Sequence, residues 1–261
     1  MAGVSDGRAS VVLSSTSLER PGQLSVLALV ALSLVPGAAG TLVYVALAGP
    51  AEAAGYPPVA ALLMAIVIAI VPIELGILLV ARNRARAAGE PLIPYRERMR
   101  ARSWAWLVPA LVVAAVLGSG LLMFVDAAIA RGVFSGLPAW YLRPIDVDLA
   151  RRYSAAAWTV TFAAYVVLNG LAGPVVEELY FRGLLLPRMD RFGRWAPLLN
   201  AALFSLYHFW APWQLLSRIA AVAPFVYAVR WRRNVYLGMV VHVSLNTVGS
   251  ALVIASTAQH V

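Results

Sequence analysis

Long, nearly continuous apolar runs separated by short polar connections dominate the pattern of this chain. Each run has roughly the 20 residues that an α-helix needs to cross about 30 Å of hydrocarbon. Backbone groups in lipid must be hydrogen-bonded within the protein, and the runs lack the alternation of barrel strands, so the pattern predicts helices. Seven spans, give or take one, are predicted at residues 23–48, 57–81, 103–125, 154–176, 195–211, 212–229 and 234–256.

Composition narrows the class of protein further. Hydrophobic residues make up 61% of the 261 residues and charged residues only 13%, which excludes an ordinary water-soluble domain. The chain has no cysteine, which excludes disulfides, thiolate metal ligands and cysteine nucleophiles. We therefore expect an all-α integral membrane protein, a polytopic transmembrane helical bundle with about seven to eight spans.

Arginine is distributed unevenly among the connections. Seven arginines lie between residues 82 and 102, four between 182 and 194, and three between 230 and 233. Arginine-bearing connections face the cytoplasm, which predicts a cell-membrane protein with its N-terminus in the cytoplasm and its C-terminus outside. Topology and anionic lipids then explain the net charge of +9, and no nucleic-acid partner is predicted. The connection at 126–153 is expected outside and is long enough to carry a surface helix.

The few ionisable residues in or beside the apolar runs are the candidates for function. A charge at the centre of a membrane helix costs about 2.5–3.5 kcal/mol on insertion scales, so it is normally retained for a purpose. A lone buried histidine is more often a packing contact between helices, and Glu74 is interpreted as a packing contact or as a residue extending toward the headgroups. Two histidines with two adjacent glutamates indicate a site. The residues are Glu74, Glu177, Glu178, Arg182, His208, Arg218 and His242.

The positions of these residues along their helices predict a common depth. If residues 190–194 form the turn between two antiparallel helices, Glu177 and His208 are each about 15 residues from its midpoint, or roughly 20 Å. The turn at 230–233 places His242 and Asn246 at roughly 13–20 Å by the same rise. This arrangement requires the helix that contains Glu177 to continue to about residue 189, with a kink near Gly173-Pro174.

Spacing within the helices assigns side chains to faces. Residues four apart lie on one face of a helix, which places Phe204 beside His208 and His242 beside Asn246. Imidazole and amide groups donate hydrogen bonds of the kind that stabilise the oxyanion formed when water attacks a carbonyl.

The two adjacent glutamates are predicted to have different roles. Glu178 and Arg182 are four apart with the acid first, so we interpret them as a structural ion pair. Glu177 lies about 100° around the helix and remains free to face the histidines. A carboxylate beside a histidine in such a pocket suits general-base activation of water. The residues themselves thus indicate a hydrolase site inside the membrane.

Three segments resemble the ordered motifs of the CPBP intramembrane proteases. Residues 177–182 read Glu-Glu-Leu-Tyr-Phe-Arg, residues 204–208 read Phe-Ser-Leu-Tyr-His, and residues 242–246 read His-Val-Ser-Leu-Asn. They match the patterns EExxxR, FxxxH and HxxxN, and the resemblance covers about residues 155–250. The family includes type II CAAX prenyl endopeptidases and bacterial proteins linked to bacteriocin self-immunity.

The resemblance implies an endopeptidase that acts in the cytoplasmic half of the bilayer on a membrane-associated or lipidated peptide or protein. Residues 1–150 would then supply N-terminal helices and loops to the same bundle, and residues 151–261 would form the catalytic core. The implied catalytic residues are Glu177 and His208, which activate water, and His242 and Asn246, which hold the oxyanion. The implied supporting residues are Glu178, Arg182 and Phe204.

Three alternatives remain open from the sequence. Glu177, His208 and His242 could supply the His₂Glu ligands of a catalytic zinc, although the HExxH spacing is absent and a metal-free mechanism is favoured. The chain could instead be a non-catalytic partner that binds a peptide or toxin in the same cavity. A proton-coupled transporter is disfavoured because the sequence shows no internal repeat.

Overall fold

The computed structural model describes residues 22–146 and 152–258, and this part of the chain is helical and contains no strand beyond one isolated bridge. Five helical runs in it are long and apolar enough to cross a membrane. The prediction of an all-α membrane bundle is confirmed. The runs are Val26–Ala53, Pro58–Ala87, Ala101–Gly132, Ala155–Tyr207 and Val235–Thr257.

All seven predicted spans are helical, but several predicted ends are wrong. The fourth predicted span continues beyond residue 176, and a reversal of the chain at Gly193 separates it from the fifth. The first helix continues past residue 48 to Ala53, with Pro50 inside its last turns. The predicted span 195–211 ends early, at Tyr207. We number the helices α1 (Val26–Ala53), α2 (Pro58–Ala87), α3 (Ala101–Gly120), α4 (Met123–Gly132), α5 (Ala139–Leu142), α6 (residues 155–185), α7 (Ala196–Tyr207), α8 (Leu215–Arg232) and α9 (Val235–Ala258).

Helix α6 continues past the two glutamates, as the depth argument required. It contains two π-helical stretches, Val166–Ala172 and Leu179–Leu185, on either side of Gly173–Glu178. The first stretch ends two residues before Pro174, which cannot donate a backbone hydrogen bond. Such π-helical turns are frequent at functional sites. A 3₁₀ segment, Leu186–Trp195, follows, and Gly193 (φ 52°) reverses the chain there.

The arginine-rich connections lie together at one end of the bundle. The backbone N–H of Glu97 donates to the carbonyl of Arg233 at 2.9 Å, and the two side chains form an ion pair at 2.7 Å. Arg230, in the last turn of α8, pairs with Asp190 at 3.2 Å. These contacts join the α2–α3 connection, the α6–α7 turn and the α8–α9 turn. Their position at one end agrees with the uneven distribution of arginine among the connections. The side of the membrane that this end faces stays a prediction.

An aromatic cluster closes the opposite end of the bundle. The Tyr44 hydroxyl of α1 donates to the carbonyl of Trp140 at 3.0 Å, and the Tyr141 hydroxyl donates to the carbonyl of Phe209 at 2.7 Å. Helix α5 therefore packs across the ends of α1 and α7. The connection predicted at 126–153 does carry a short helix, and its residues 147–151 lie outside the described residues.

Candidate active site

A cavity of about 570 Å³ lies inside the bundle and contains the predicted site. Its walls come from α2, α3, α5, α6, α7, α8 and α9, so helices from both 1–150 and 151–261 contribute to it. The four residues predicted to be catalytic all line it: Glu177, His208, His242 and Asn246.

Glu178 holds two partners, only one of which was predicted. Its Oε1 lies 3.0 Å from Arg182 Nη1, and both side chains are completely buried. The same oxygen lies 3.0 Å from Nδ1 of His242. The carboxylate therefore accepts the Nδ1–H of His242 and directs Nε2 toward Glu177. The contact with His242 depends on how α6 and α9 pack, which spacing along one helix does not reveal.

Aromatic rings surround the buried guanidinium. The Arg182 guanidinium carbon lies 4.3 Å from the ring centre of Phe204 and 5.1 Å from that of Phe225. At these distances the rings form cation–π interactions with the guanidinium. These interactions compensate in part for the water that the charge loses on burial. Phe204 also contacts the rings of His208 and His242, with centroids 4.7 and 5.7 Å apart. Its predicted position beside His208 is therefore observed.

Glu177 faces His242 across a gap. Glu177 Oε2 lies 3.8 Å from His242 Nε2, which is too long for a direct hydrogen bond and is a distance at which a bridging water is to be considered. The Tyr207 hydroxyl donates to Glu177 Oε1 at 3.4 Å. The second carboxylate oxygen is thus directed into the cavity.

His208 lies just beyond the helix that was predicted to contain it. Helix α7 ends at Tyr207, and His208 is its C-terminal cap with φ −81° and ψ 59°. Its Nδ1 lies 2.7 Å from the carbonyl oxygen of Phe204, so Nδ1–H donates and Nε2 is left as an acceptor. No hydrogen bond or ion pair joins His208 to Glu177 in the described segments, although both face the cavity.

Asn246 lies one turn beyond His242 on α9. Its side-chain amide donates to the backbone carbonyl of Asn169 at 2.8 Å, a group in the first π-helical stretch of α6. One amide N–H is therefore used to fix the side chain, and the second remains for a group in the cavity.

Two residues that sequence reasoning left without a role also lie at the site. Glu74 is completely buried, which agrees with its interpretation as a packing contact between helices and excludes the alternative of extension toward the headgroups. Both oxygens of its carboxylate are buried without a hydrogen-bond partner in residues 22–146 and 152–258, and Tyr207 and Glu177 are polar neighbours of this carboxylate. Arg218 lines the same cavity. The depth of Glu74 along α2 was the one signal that could have assigned it.

The donor groups do not form an evident metal site. No three His, Asp or Glu side chains within 22–146 and 152–258 are arranged to hold a metal ion. His242 uses Nδ1 for Glu178 and His208 uses Nδ1 for a carbonyl, an orientation that zinc-binding histidines also show.

These features define a multi-pass membrane protein with a carboxylate–imidazole site inside its helical bundle. Residues 159–248 match the family model described as Type II CAAX prenyl endopeptidase Rce1-like. This match confirms the resemblance found from the three motifs, and it includes all of the predicted site residues. Among curated proteins and among solved structures, nothing matches the chain.

Proposed function

We propose that this protein is an intramembrane endopeptidase that hydrolyses a peptide bond with a water molecule activated by Glu177 and His208. The observation that carries the proposal is the Glu177 carboxylate, directed into a 570 Å³ intramembrane cavity and 3.8 Å from His242. The family match to CAAX prenyl endopeptidases over 159–248 supports the same reaction class.

The first step uses the two acceptors that face the cavity. A water held between Glu177 Oε2 and His208 Nε2 donates a hydrogen bond to each, which orients its lone pair toward the substrate carbonyl. Glu177 takes a proton as the oxygen–carbon bond forms. Breakdown of the tetrahedral intermediate then breaks the carbon–nitrogen bond, and Glu177 returns the proton to the leaving amine.

The oxyanion is stabilised by groups on α9. When both ring nitrogens of His242 carry a proton, the Nδ1–H is bonded to Glu178 and the Nε2–H is directed toward the cavity, where it can donate to the oxyanion. The free amide N–H of Asn246 supplies a second donor. Hydrogen-bond donors that are already in position before the reaction contribute strongly to stabilisation of the transition state, since removal of one typically lowers kcat by about 10²–10³-fold. Glu178 and Arg182 keep the His242 ring in place.

The membrane setting suggests the class of substrate. The site is enclosed by helices, so the substrate is a membrane-associated or lipidated peptide or protein, and membrane lipids surround the enzyme. His242 is seven residues into α9, about 10 Å from the arginine-rich end. With that end in the cytoplasm, the N-terminus is inside, the C-terminus is outside and cleavage occurs in the cytoplasmic half of the bilayer.

The mechanism is proposed to be metal-free. Zinc bound by Glu177, His208 and His242 is the alternative, and it makes a different prediction. Hydrolysis by the reconstituted protein should be unchanged after prolonged dialysis against a zinc chelator. A loss of activity that added zinc restores would instead support the zinc mechanism.

Comparative peptidomics of membranes tests the proposal in cells. We expect peptide products in cells with the unaltered chain that are absent with Glu177→Ala at equal protein level. A non-catalytic immunity or regulatory protein that binds a peptide or toxin in the same cavity predicts identical peptide profiles and an unchanged phenotype.

A further inference from the structure

A second cavity, of about 660 Å³ and mostly apolar, lies between α1, α2 and the end of α6 and shares no described lining residue with the catalytic cavity. We call it the α2 groove. The residues of its α2 wall are spaced three or four apart, so they lie on one face of the helix. Small residues leave this face open, since a Cβ added at Gly76 meets nothing within 4 Å. The α2 wall includes Ile73, Gly76, Ile77, Val80, Ala81 and Arg84.

The α2 groove has the length of one lipid leaflet. Ile73 and Arg84 are eleven residues apart, which corresponds to about 16 Å of helix. This is about half of the hydrocarbon thickness of a bilayer. The charged residues that line the described groove are Arg84, Glu90 and Arg188, and they all lie toward the arginine-rich end of the bundle. An apolar groove of this length with charges at one end suits a single phospholipid.

Two guanidinium groups lie at the mouth of the groove. Arg188 Nη1 donates to the carbonyl of Leu184 at 2.7 Å, which holds the side chain in place and uses one of its five N–H groups. Arg84 lies on the α2 wall and is exposed. Guanidinium N–H groups pair well with phosphate oxygens, so the mouth of the groove suits a phosphate.

A carboxylate is placed beside these guanidinium groups by the turn that ends α2. Gly89 adopts φ 68°, and the backbone N–H of Glu90 donates to the carbonyl of Ala85 at 2.9 Å, as in a Schellman cap. The turn brings Glu90 to the groove, where it is a charged neighbour of Arg188. No ion pair joins these two side chains in residues 22–146 and 152–258, so the carboxylate is available to a cationic group beside the phosphate.

We propose that the α2 groove binds one phosphatidylethanolamine molecule. Its phosphate pairs with Arg84 and Arg188, its ammonium group donates to Glu90, and one acyl chain lies along α2. A primary ammonium group has three N–H donors, whereas the trimethylammonium group of phosphatidylcholine has none. Phosphatidylglycerol carries no cation and would leave the Glu90 carboxylate unpaired beside its phosphate. This site is separate from the catalytic cavity and does not depend on the proposed function.

Three lipids with identical acyl chains test the proposal. The purified full-length chain is titrated in detergent with dioleoyl phosphatidylethanolamine, phosphatidylcholine or phosphatidylglycerol, and native mass spectrometry gives the Kd of the first bound lipid. We expect phosphatidylethanolamine to bind about tenfold more tightly than either of the other lipids, the usual effect of a hydrogen bond to a charged group.

Variants of the groove assign the preference to its residues. Glu90→Gln should remove the preference for phosphatidylethanolamine and leave phosphatidylcholine binding unchanged. Arg188→Gln should weaken both lipids alike, because both carry the phosphate, and Gly76→Leu should weaken all three lipids by filling the groove. Arg98→Gln is the matched control, because Arg98 is exposed at the same end and lies outside the groove. If Arg188→Gln fails to fold, Glu90→Gln and the lipid comparison with the unaltered chain still decide.

Four outcomes overturn the proposal. Equal binding of phosphatidylethanolamine and phosphatidylcholine would remove the ammonium contact, and an unchanged preference in Glu90→Gln would place that contact elsewhere. Tighter binding of phosphatidylglycerol would assign the mouth of the groove to anionic lipids in general. Binding of no lipid would leave the groove to a protein segment. Hydrolysis is not measured in this experiment, so each of these results leaves the endopeptidase proposal intact.

Discussion

At the scale of single residues, Glu178 connects the buried Arg182 guanidinium to the His242 ring. One oxygen lies 3.0 Å from both Arg182 and His242, and the ion pair has no exposure to solvent. Removal of one member of such a pair leaves an uncompensated buried charge, whereas replacement of both members by neutral groups is often tolerated. Glu178 therefore supports stability and ring orientation together.

A double-mutant cycle separates these contributions. Glu178→Gln and Arg182→Met should each destabilise the protein by about 3–5 kcal/mol, because each leaves one buried charge unpaired. The double variant should be much less destabilised than the sum. Thermal unfolding in detergent measures the stabilities. Additive losses would contradict a direct pair, and Arg191→Met at the exposed turn is the control.

At the scale of helices, the close approach of α9 to α6 brings the motifs together. Gly238 permits it, since a Cβ at this position would collide with the Glu178 carboxylate and lie 3.0 Å from Val229 Cγ2. Glycine is otherwise unfavourable in a helix interior, by about 1 kcal/mol relative to alanine. Its presence in α9 is explained by the room that Glu178 needs.

Gly238→Ala should therefore lower activity even though alanine favours helix. The methyl group displaces the Glu178 carboxylate, which then releases the His242 ring, and we expect a decrease in kcat of at least about tenfold. Gly76→Ala is the control, because a Cβ there meets nothing within 4 Å. Hydrolysis assays with both variants check this. Full activity of Gly238→Ala would show that Glu178 does not position His242.

The sequence predicts the features that depend on distance along a helix, and it does not predict those that depend on packing between helices. The apolar runs, the presence of Glu177 and His208 in one cavity, and the Glu178–Arg182 pair all follow from helical rise and period. The capping position of His208, the contact of Glu178 with His242 and the place of Glu74 depend on how separate helices approach. Hydropathy also shows where lipid contact ends rather than where a helix ends, which is why the predicted end of α7 was wrong.

At the scale of the whole molecule, charge predicts orientation. The arginine-rich connections share one end, and the aromatic cluster around α5 closes the other. The positive-inside rule places the first end in the cytoplasm. The chain has no native cysteine, so labelling of a single introduced cysteine shows on which side of the membrane that position lies, without labelling of other thiols in the chain.

Labelling with a membrane-impermeant thiol reagent tests this orientation. A cysteine at Arg191 should react only when the cytoplasmic face is accessible, and a cysteine at Ser135 should react from outside intact cells. Both positions are exposed and lie at opposite ends. The reverse labelling pattern would show that the site lies in the outer half of the bilayer.

The most direct measurement of the central claim is the hydrolysis rate of the purified protein in liposomes, compared with its Glu177→Gln variant. Removal of a general base predicts a decrease of about 10²–10⁴-fold with an unchanged thermal midpoint. The exposed Glu52 provides the control, since Glu52→Gln should retain full activity. Equal rates for the unaltered chain and Glu177→Gln would contradict the account.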